Sequence, residues 1–436
     1  MSNGIKFQDK DYGMHNNLFT EEHMLADGKY GLDVGGPGVG MLRSAAKFMM
    51  KATEMRLEKE ISGEGDLLQY GSTLGDPAYR INLAKFLSEQ FDDIVDSKSL
   101  MTTTGATAGL SLLASTFFNV EDYIFIEDPT YFHVNKLVAV DLGLKAVPIP
   151  IVEDGLDLEM LEEELERRKP VDFQPTTERP FWALVYVVSV YQNPTGLCYS
   201  KEKCEKLVNL AREYNLLVVS DDVYNLLCLE KDGDAFKRAP PRLYQYDVKS
   251  DNDYFGNIVS NGSFSKILGP GLRLGWIEAP KVVLSKLMVD GVLLGGGSMN
   301  HFTSGIVGSS LNTDLFSAFL LMVRTTLKRK LNAVLDVLQK HCPKSVKYSV
   351  PKGGYFIWIE LPSYVDVHEL SEFCQKIHNV SILEGKRCSV AGNCQSFLRI
   401  CFAYYSVQEN CIAVKKLLGA MESRLKRAAN INGALQ

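Results

Sequence analysis

Four stretches of this 436-residue chain are built alike, and together they restrict its fold more than any other feature. Tyr123-Ile124-Phe125-Ile126 stops at Glu127-Asp128-Pro129-Thr130-Tyr131. Leu184-Val185-Tyr186-Val187-Val188-Ser189-Val190 stops at Tyr191-Gln192-Asn193-Pro194-Thr195-Gly196. Leu216-Leu217-Val218-Val219 stops at Ser220-Asp221-Asp222-Val223-Tyr224, and Ile258-Val259-Ser260 leads into Ser263-Phe264-Ser265-Lys266. Each is a short, nearly continuous apolar run closed by polar residues or a proline, as expected of a strand buried on both faces. Between them lie helical patterns, at Leu158–Arg168 and over 201–214. This alternation predicts an α/β fold with a mostly parallel sheet covered by helices. Such sheets bind ligands beyond the carboxyl ends of their strands. Tyr131, Asn193, Asp221 and Lys266 are therefore expected to converge on one crevice.

Lys266 stands out chemically. It sits between the hydroxyls of Ser263 and Ser265 and an arginine, Arg273, seven residues on, in a stretch rich in small residues. A lysine holds an aldehyde only as a neutral amine, and desolvation and a nearby cation both lower its pKa. Two hydroxyls and a guanidinium fork suit a phosphate. An aldehyde for the lysine and a phosphate for its neighbours together point to pyridoxal phosphate. The same residues also describe a solvated lysine in a Ser/Gly-rich loop, and this stretch alone leaves both readings open.

Elsewhere, the cluster Gly35-Gly36-Pro37-Gly38-Val39-Gly40 lets the backbone approach a ligand or simply turn. Residues 41–61 carry Leu42, Ala45, Ala46 and Met49 at helical spacing, and Pro77 opens a second helix over 77–90. Thr102-Thr103-Thr104-Gly105-Ala106-Thr107 ends an extended stretch and starts a helix, whose free N–H groups would stabilise an anion. Residues 301–340 are helical for long stretches, with apolar residues recurring on one face. Two strand-like runs follow, around Tyr355-Phe356-Ile357 and Phe397-Leu398-Arg399-Ile400, and a charged helix over 408–427 closes the chain.

Composition excludes several classes. A net charge of −6 argues against a nucleic-acid partner. The longest mostly apolar run, 181–190, is about half of what crosses a bilayer, so no membrane segment is expected. The nine cysteines are odd in number, scattered and without a C-x-x-C pair. They indicate a reducing, cytoplasmic setting and no disulfide framework or metal site.

These residues and their order resemble the class I/II aminotransferases, enzymes of pyridoxal phosphate fold type I, over about 30–425. Asn193-Pro194-Thr195-Gly196, Asp221 with Tyr224, Ser263-Phe264-Ser265-Lys266 with Arg273, and the late Arg399 are each modest signals, but their joint order is specific. The pairing of Ser263-Phe264-Ser265-Lys266 with Gly271-Leu272-Arg273-Leu274-Gly275-Trp276 is similar to the 2-aminoadipate, kynurenine and aromatic aminotransferase branch. The resemblance implies an enzyme that moves an amino group from an L-amino acid to a 2-oxo acid by a ping-pong cycle, with pyridoxal 5'-phosphate held by Lys266 as a Schiff base.

It further implies that Asp221 pairs with the pyridine nitrogen, Asn193 and Tyr224 with the ring oxygen, and that Tyr131 stacks on the ring. Ser263, Ser265, Arg273 and the backbone of Ala106 and Thr107 hold the phosphate. Tyr70 joins them from a partner subunit, which makes the protein a homodimer. Arg399 clamps the substrate α-carboxylate with help from the Gly36 backbone. The implied domains are 1–50, an N-terminal arm and small-domain segment, 51–305, the large cofactor-binding domain, and 306–436, the small C-terminal domain.

Ala106 departs from the polar residue common in the phosphate turn, so its contact is backbone only. The same residues also serve a carbon-sulfur lyase or an aminocyclopropane-carboxylate synthase. A non-catalytic regulator is the remote reading, since the chain shows no N-terminal DNA-binding domain. Arg43, Tyr355 and Phe356 are candidates for substrate selection.

Overall fold

The computed structural model describes residues 28–63 and 66–433, so most of the expected N-terminal arm lies outside the described residues. Its main helices are α1 (Val39–Ile61), α2 (Pro77–Phe91), α3 (Ala106–Phe117), α4 (Leu158–Arg168), α5 (Lys201–Glu213), α6 (Asp314–His341) and α7 (Val407–Gly433). Their starts are set locally. Pro77 is the first residue of α2 behind Asp76, whose carboxylate accepts the Ala78 N–H, while Asp157 and Ser200 cap α4 and α5 in the same way.

One eight-stranded sheet contains β1 (Leu100–Thr103), β2 (Tyr123–Asp128), β3 (Lys145–Val152), β4 (Gly155–Leu156), β5 (Ala183–Val187), β6 (Leu216–Asp221), β7 (Ile258–Ser263) and β8 (Gly275–Glu278). Their order is β1-β8-β7-β6-β5-β2-β3-β4. The five strands from β7 to β3 in that order run parallel, β8 is antiparallel to both of its neighbours, and β4 folds back on β3. All four apolar runs are strands of this sheet.

Side chains alternate across the pleat, and this splits the core in two. Leu184, Tyr186, Leu217, Val219 and Val259 belong to one cluster with residues of α2, α3 and α6. Ala183, Val185, Leu216, Val218 and Ile258 belong to the other with α4 and α5. Burial on both faces explains why these strands read as continuous apolar runs.

A second, antiparallel sheet is formed by β9 (Lys347–Tyr348), β10 (Phe356–Glu360), β11 (Leu383–Glu384) and β12 (Phe397–Cys401), in the order β9-β10-β12-β11. It brings Phe356 and Arg399 to the carboxyl ends of the large sheet. The buried stripe of α1 differs from the expected one. Met41, Ala45, Phe48 and Ala52 face inward, while Leu42 and Ala46 are exposed. Phe48 sets the stripe by packing against Phe316 and Phe319 of α6. No described helix is long and apolar enough to cross a membrane, and no described group of side chains could hold a metal ion.

Candidate active site

A cavity opens where β2, β5, β6 and β7 end, and the resemblance's candidates meet there. Ala106, Thr107, Tyr131, Asn193, Asp221, Tyr224, Ser263, Ser265, Lys266, Arg273 and Arg399 all line it.

Lys266 follows the end of β7. Its Nζ donates to the Gly35 carbonyl at 2.7 Å, and its own carbonyl accepts the Tyr355 hydroxyl at 2.5 Å. Desolvation pulls the amine down to about 8. Arg399 and Arg273 act in the same direction, and Cys401 and Asp221 oppose them. The amine therefore deprotonates far more readily than a surface lysine.

Asp221 ends β6. Its Oδ2 accepts the Tyr186 hydroxyl at 2.7 Å, while its Oδ1 is buried without a hydrogen-bond partner among the described residues. Desolvation pushes the carboxyl up to about 7. The adjacent Asp222 adds to the rise, and Tyr186 and Lys266 counter it.

Arg399 projects from β12 with 1% of its surface exposed. Nη1 donates to Asn193 Oδ1 at 2.8 Å and Nη2 to the Asp33 carbonyl at 2.6 Å, and the guanidinium lies 4.0 Å from the centre of the Phe356 ring. Tyr131 is buried enough to raise its hydroxyl to about 12. Tyr224 is packed by Tyr355 and Phe356, with ring centres 5.8 and 5.7 Å away.

At the other end, Gly105 opens α3 at φ 97° with no side-chain cap, which leaves the helix's first N–H groups for a ligand. A Cβ there would come within 2.7 Å of Arg273 Nη2, so only glycine lets the guanidinium lie against this turn. Ser263 Oγ donates to Ser265 Oγ at 2.9 Å. Hydroxyls, guanidinium and helix N-terminus form a cradle for a phosphate dianion, and the open Oδ1 of Asp221 awaits a donor such as a ring N–H. The donor set thus fits pyridoxal 5'-phosphate from end to end.

Gly36, Tyr70 and Arg43 lie elsewhere. The Gly36 N–H donates to the Val34 carbonyl at 3.0 Å, and the neighbouring Gly35 lines the cavity in its place. Tyr70 is 80% exposed and does not line this chain's cavity. Arg43 is exposed on α1. Sequence reasoning missed Tyr186, Phe132 and His133. Tyr186 sat inside an apolar run, and the only signal for the other two was that they follow Tyr131.

Fold and site together define a pyridoxal phosphate enzyme of fold type I. The family model for aminotransferase class I and II matches residues 33–417. An uncharacterised protein of Saccharomyces cerevisiae is 31% identical over 363 residues, which is 77% of this chain and 82% of that protein. Aromatic-amino-acid aminotransferase 1 of Thermococcus litoralis is 26% identical over 423 residues, 97% of this chain and 95% of its own. The crystal structure of the alpha-aminoadipate aminotransferase of Thermus thermophilus, complexed with N-(5'-phosphopyridoxyl)-L-leucine, matches with a TM-score of 0.76. It is 25% identical and covers 92% of this chain and 94% of that one. The chain belongs to the class I and II aminotransferases. Its cofactor is pyridoxal 5'-phosphate, and it transfers an amino group from an amino acid to a 2-oxo acid.

Proposed function

We propose that the donor is an L-amino acid with an aromatic or extended side chain, 2-aminoadipate included, and that the residues of the cavity divide the work of its transamination. The observation that carries the division is the pairing, in one cavity, of a lysine amine drawn down to about 8 with a carboxylate whose second oxygen is unpartnered. When bound, the cofactor supplies the sink for electrons released at the substrate α-carbon. Lys266 Nζ would hold the cofactor covalently between turnovers and, when free, would serve as the base that takes the substrate α-proton and the acid that gives it back.

Asp221 would hold the proton on the pyridine nitrogen. Asn193 and Tyr224 would bind the ring oxygen, and Tyr131 would cover the ring face. Ser263, Ser265, Arg273 and the N–H groups of Ala106 and Thr107 hold the phosphate. Arg399, already oriented by Asn193 and the Asp33 carbonyl, binds the substrate α-carboxylate. The aromatic wall of Phe132 and Phe356 supports the choice of donor, as do the aromatic and alpha-aminoadipate specificities in the names of the two aminotransferases above.

The same reading makes the protein a homodimer in which Tyr70, exposed on its own chain, reaches the partner's phosphate. It divides the chain at about residues 50 and 305, which is supported by the separate large and small sheets. It places the protein in the cytoplasm, in keeping with nine free cysteines. The test is turnover of a panel of L-amino acids by the holoenzyme with and without 2-oxoglutarate. Formation of glutamate, strictly dependent on the 2-oxo acid and fastest for aromatic or 2-aminoadipate donors, is expected. Pyruvate or ammonia released without 2-oxoglutarate would overturn the reading in favour of elimination.

A further inference from the structure

We propose that Tyr186 is a positioning residue for Asp221, its buried hydroxyl fixing the carboxylate in the rotation that leaves Oδ1 open to the cavity. The inference rests on the role of Asp221 proposed above. The two residues meet through strand register. Tyr186 of β5 pairs with Val219 of β6, and Asp221 lies two residues further on, hence on the same face of the sheet. The Tyr186 hydroxyl makes one side-chain hydrogen bond among the described residues, 2.7 Å to Oδ2, and the residue is 1% exposed.

A phenylalanine would pack in this apolar run equally well, so the hydroxyl's contribution is to the carboxylate. A terminal carboxylate turns broadly about its last bond. With Oδ2 anchored, the direction of Oδ1 is set before any ligand arrives. A buried acceptor left unmet costs free energy, and a ring N–H in the cavity relieves it.

The other groups acting on this carboxylate come from every neighbouring strand. They are Asp222 just after β6, Lys266 after β7, Glu127 on β2, and Tyr131 and Tyr224. Glu127 is itself pushed up to about 7, chiefly by desolvation. None of these donates a hydrogen bond to the Asp221 carboxylate; among the described residues Tyr186 does. Without that bond the carboxylate is more basic and draws the ring proton toward itself. A bound ring would then be less positive, and the nitrogen joining it to Lys266 would keep its proton to higher pH.

The experiment titrates the near-visible absorbance of the bound cofactor against pH in the parent holoenzyme, Tyr186→Phe, Tyr186→3-fluorotyrosine and Asp221→Asn, and measures cofactor dissociation constants with the apo-proteins. For Tyr186→Phe the midpoint is expected to rise by about half a pH unit or more, with cofactor bound roughly fivefold to twentyfold more weakly. The fluorinated phenol is nearly isosteric and a stronger donor, so its midpoint should fall.

An unmoved midpoint in Tyr186→Phe, beside a clear shift in Asp221→Asn, would overturn the proposal. If Tyr186→Phe does not fold, the fluorotyrosine decides, because an unmoved or raised midpoint there also overturns it. An unmoved midpoint in Asp221→Asn would instead overturn the underlying role of Asp221, and the positioning role with it.

Discussion

Lys266 is the residue on which the chemistry turns, and its environment sets when it reacts. Only the neutral amine attacks an aldehyde, and an ordinary lysine near pKa 10.4 is neutral in about one molecule in 10³ at pH 7. Desolvation brings Lys266 to about 8, so about one in ten is neutral at the same pH. Lowering a lysine's pKa raises its neutral fraction at every pH below the ordinary value. Capture of pyridoxal 5'-phosphate by the apo-protein should therefore speed up with pH and level off above about 8. Stopped-flow absorbance checks this, and a rate still climbing steeply at pH 10 would show that the amine is not desolvated.

Residues of this kind were legible in the sequence because they interrupt it. Lys266, Asp221 and Asn193 each follow an apolar run with chemistry that no core requires. Tyr186 was not, since a tyrosine among apolar residues reads as packing until the register shows which group its hydroxyl meets. The glycine cluster carries no side-chain pattern to mark which backbone group faces inward, and it is Gly35 that lines the cavity.

At the scale of elements, the sequence showed strands buried on both faces most clearly, since burial on both sides leaves an unbroken apolar run. It showed the antiparallel β8 poorly. Gly275-Trp276-Ile277-Glu278 is short and ends in a carboxylate that is buried by pairing with Arg242. Helix α1 was found, but its inward face was misjudged by one position. Apolar residues occur nearly all around it, and the elements packed on it, α6 and the helix His301–Gly308, decide which of them are covered. Phe48→Ala is expected to destabilise the protein by about 3–5 kcal/mol, whereas Leu42→Ala should stay within about 0.5 kcal/mol. Urea unfolding followed by circular dichroism measures both. Equal losses would place the stripe where the sequence alone suggested it.

At the scale of the whole molecule, the cavity takes its polar ends from different parts of the chain. The large sheet and α3 supply the lysine, the aspartate and the phosphate cradle, and the small sheet supplies Arg399. Tyr70 would add a part from a second copy. Mixing Lys266→Ala with Tyr70→Phe subunits should therefore form hybrid dimers with one fully native site, active well beyond the average of the two parents. Activity equal to that average would confine each site to one chain.

Whether Lys266 and its neighbours perform a half-transamination is decided by the absorbance spectrum of the holoenzyme as a single amino acid is added without any 2-oxo acid. The near-visible band should convert stoichiometrically to the shorter-wavelength amine form, with release of one 2-oxo acid per site, and Lys266→Ala should show neither the original band nor the conversion. A band that persists with every amino acid, or a conversion that survives in Lys266→Ala, would refute the role assigned to this lysine.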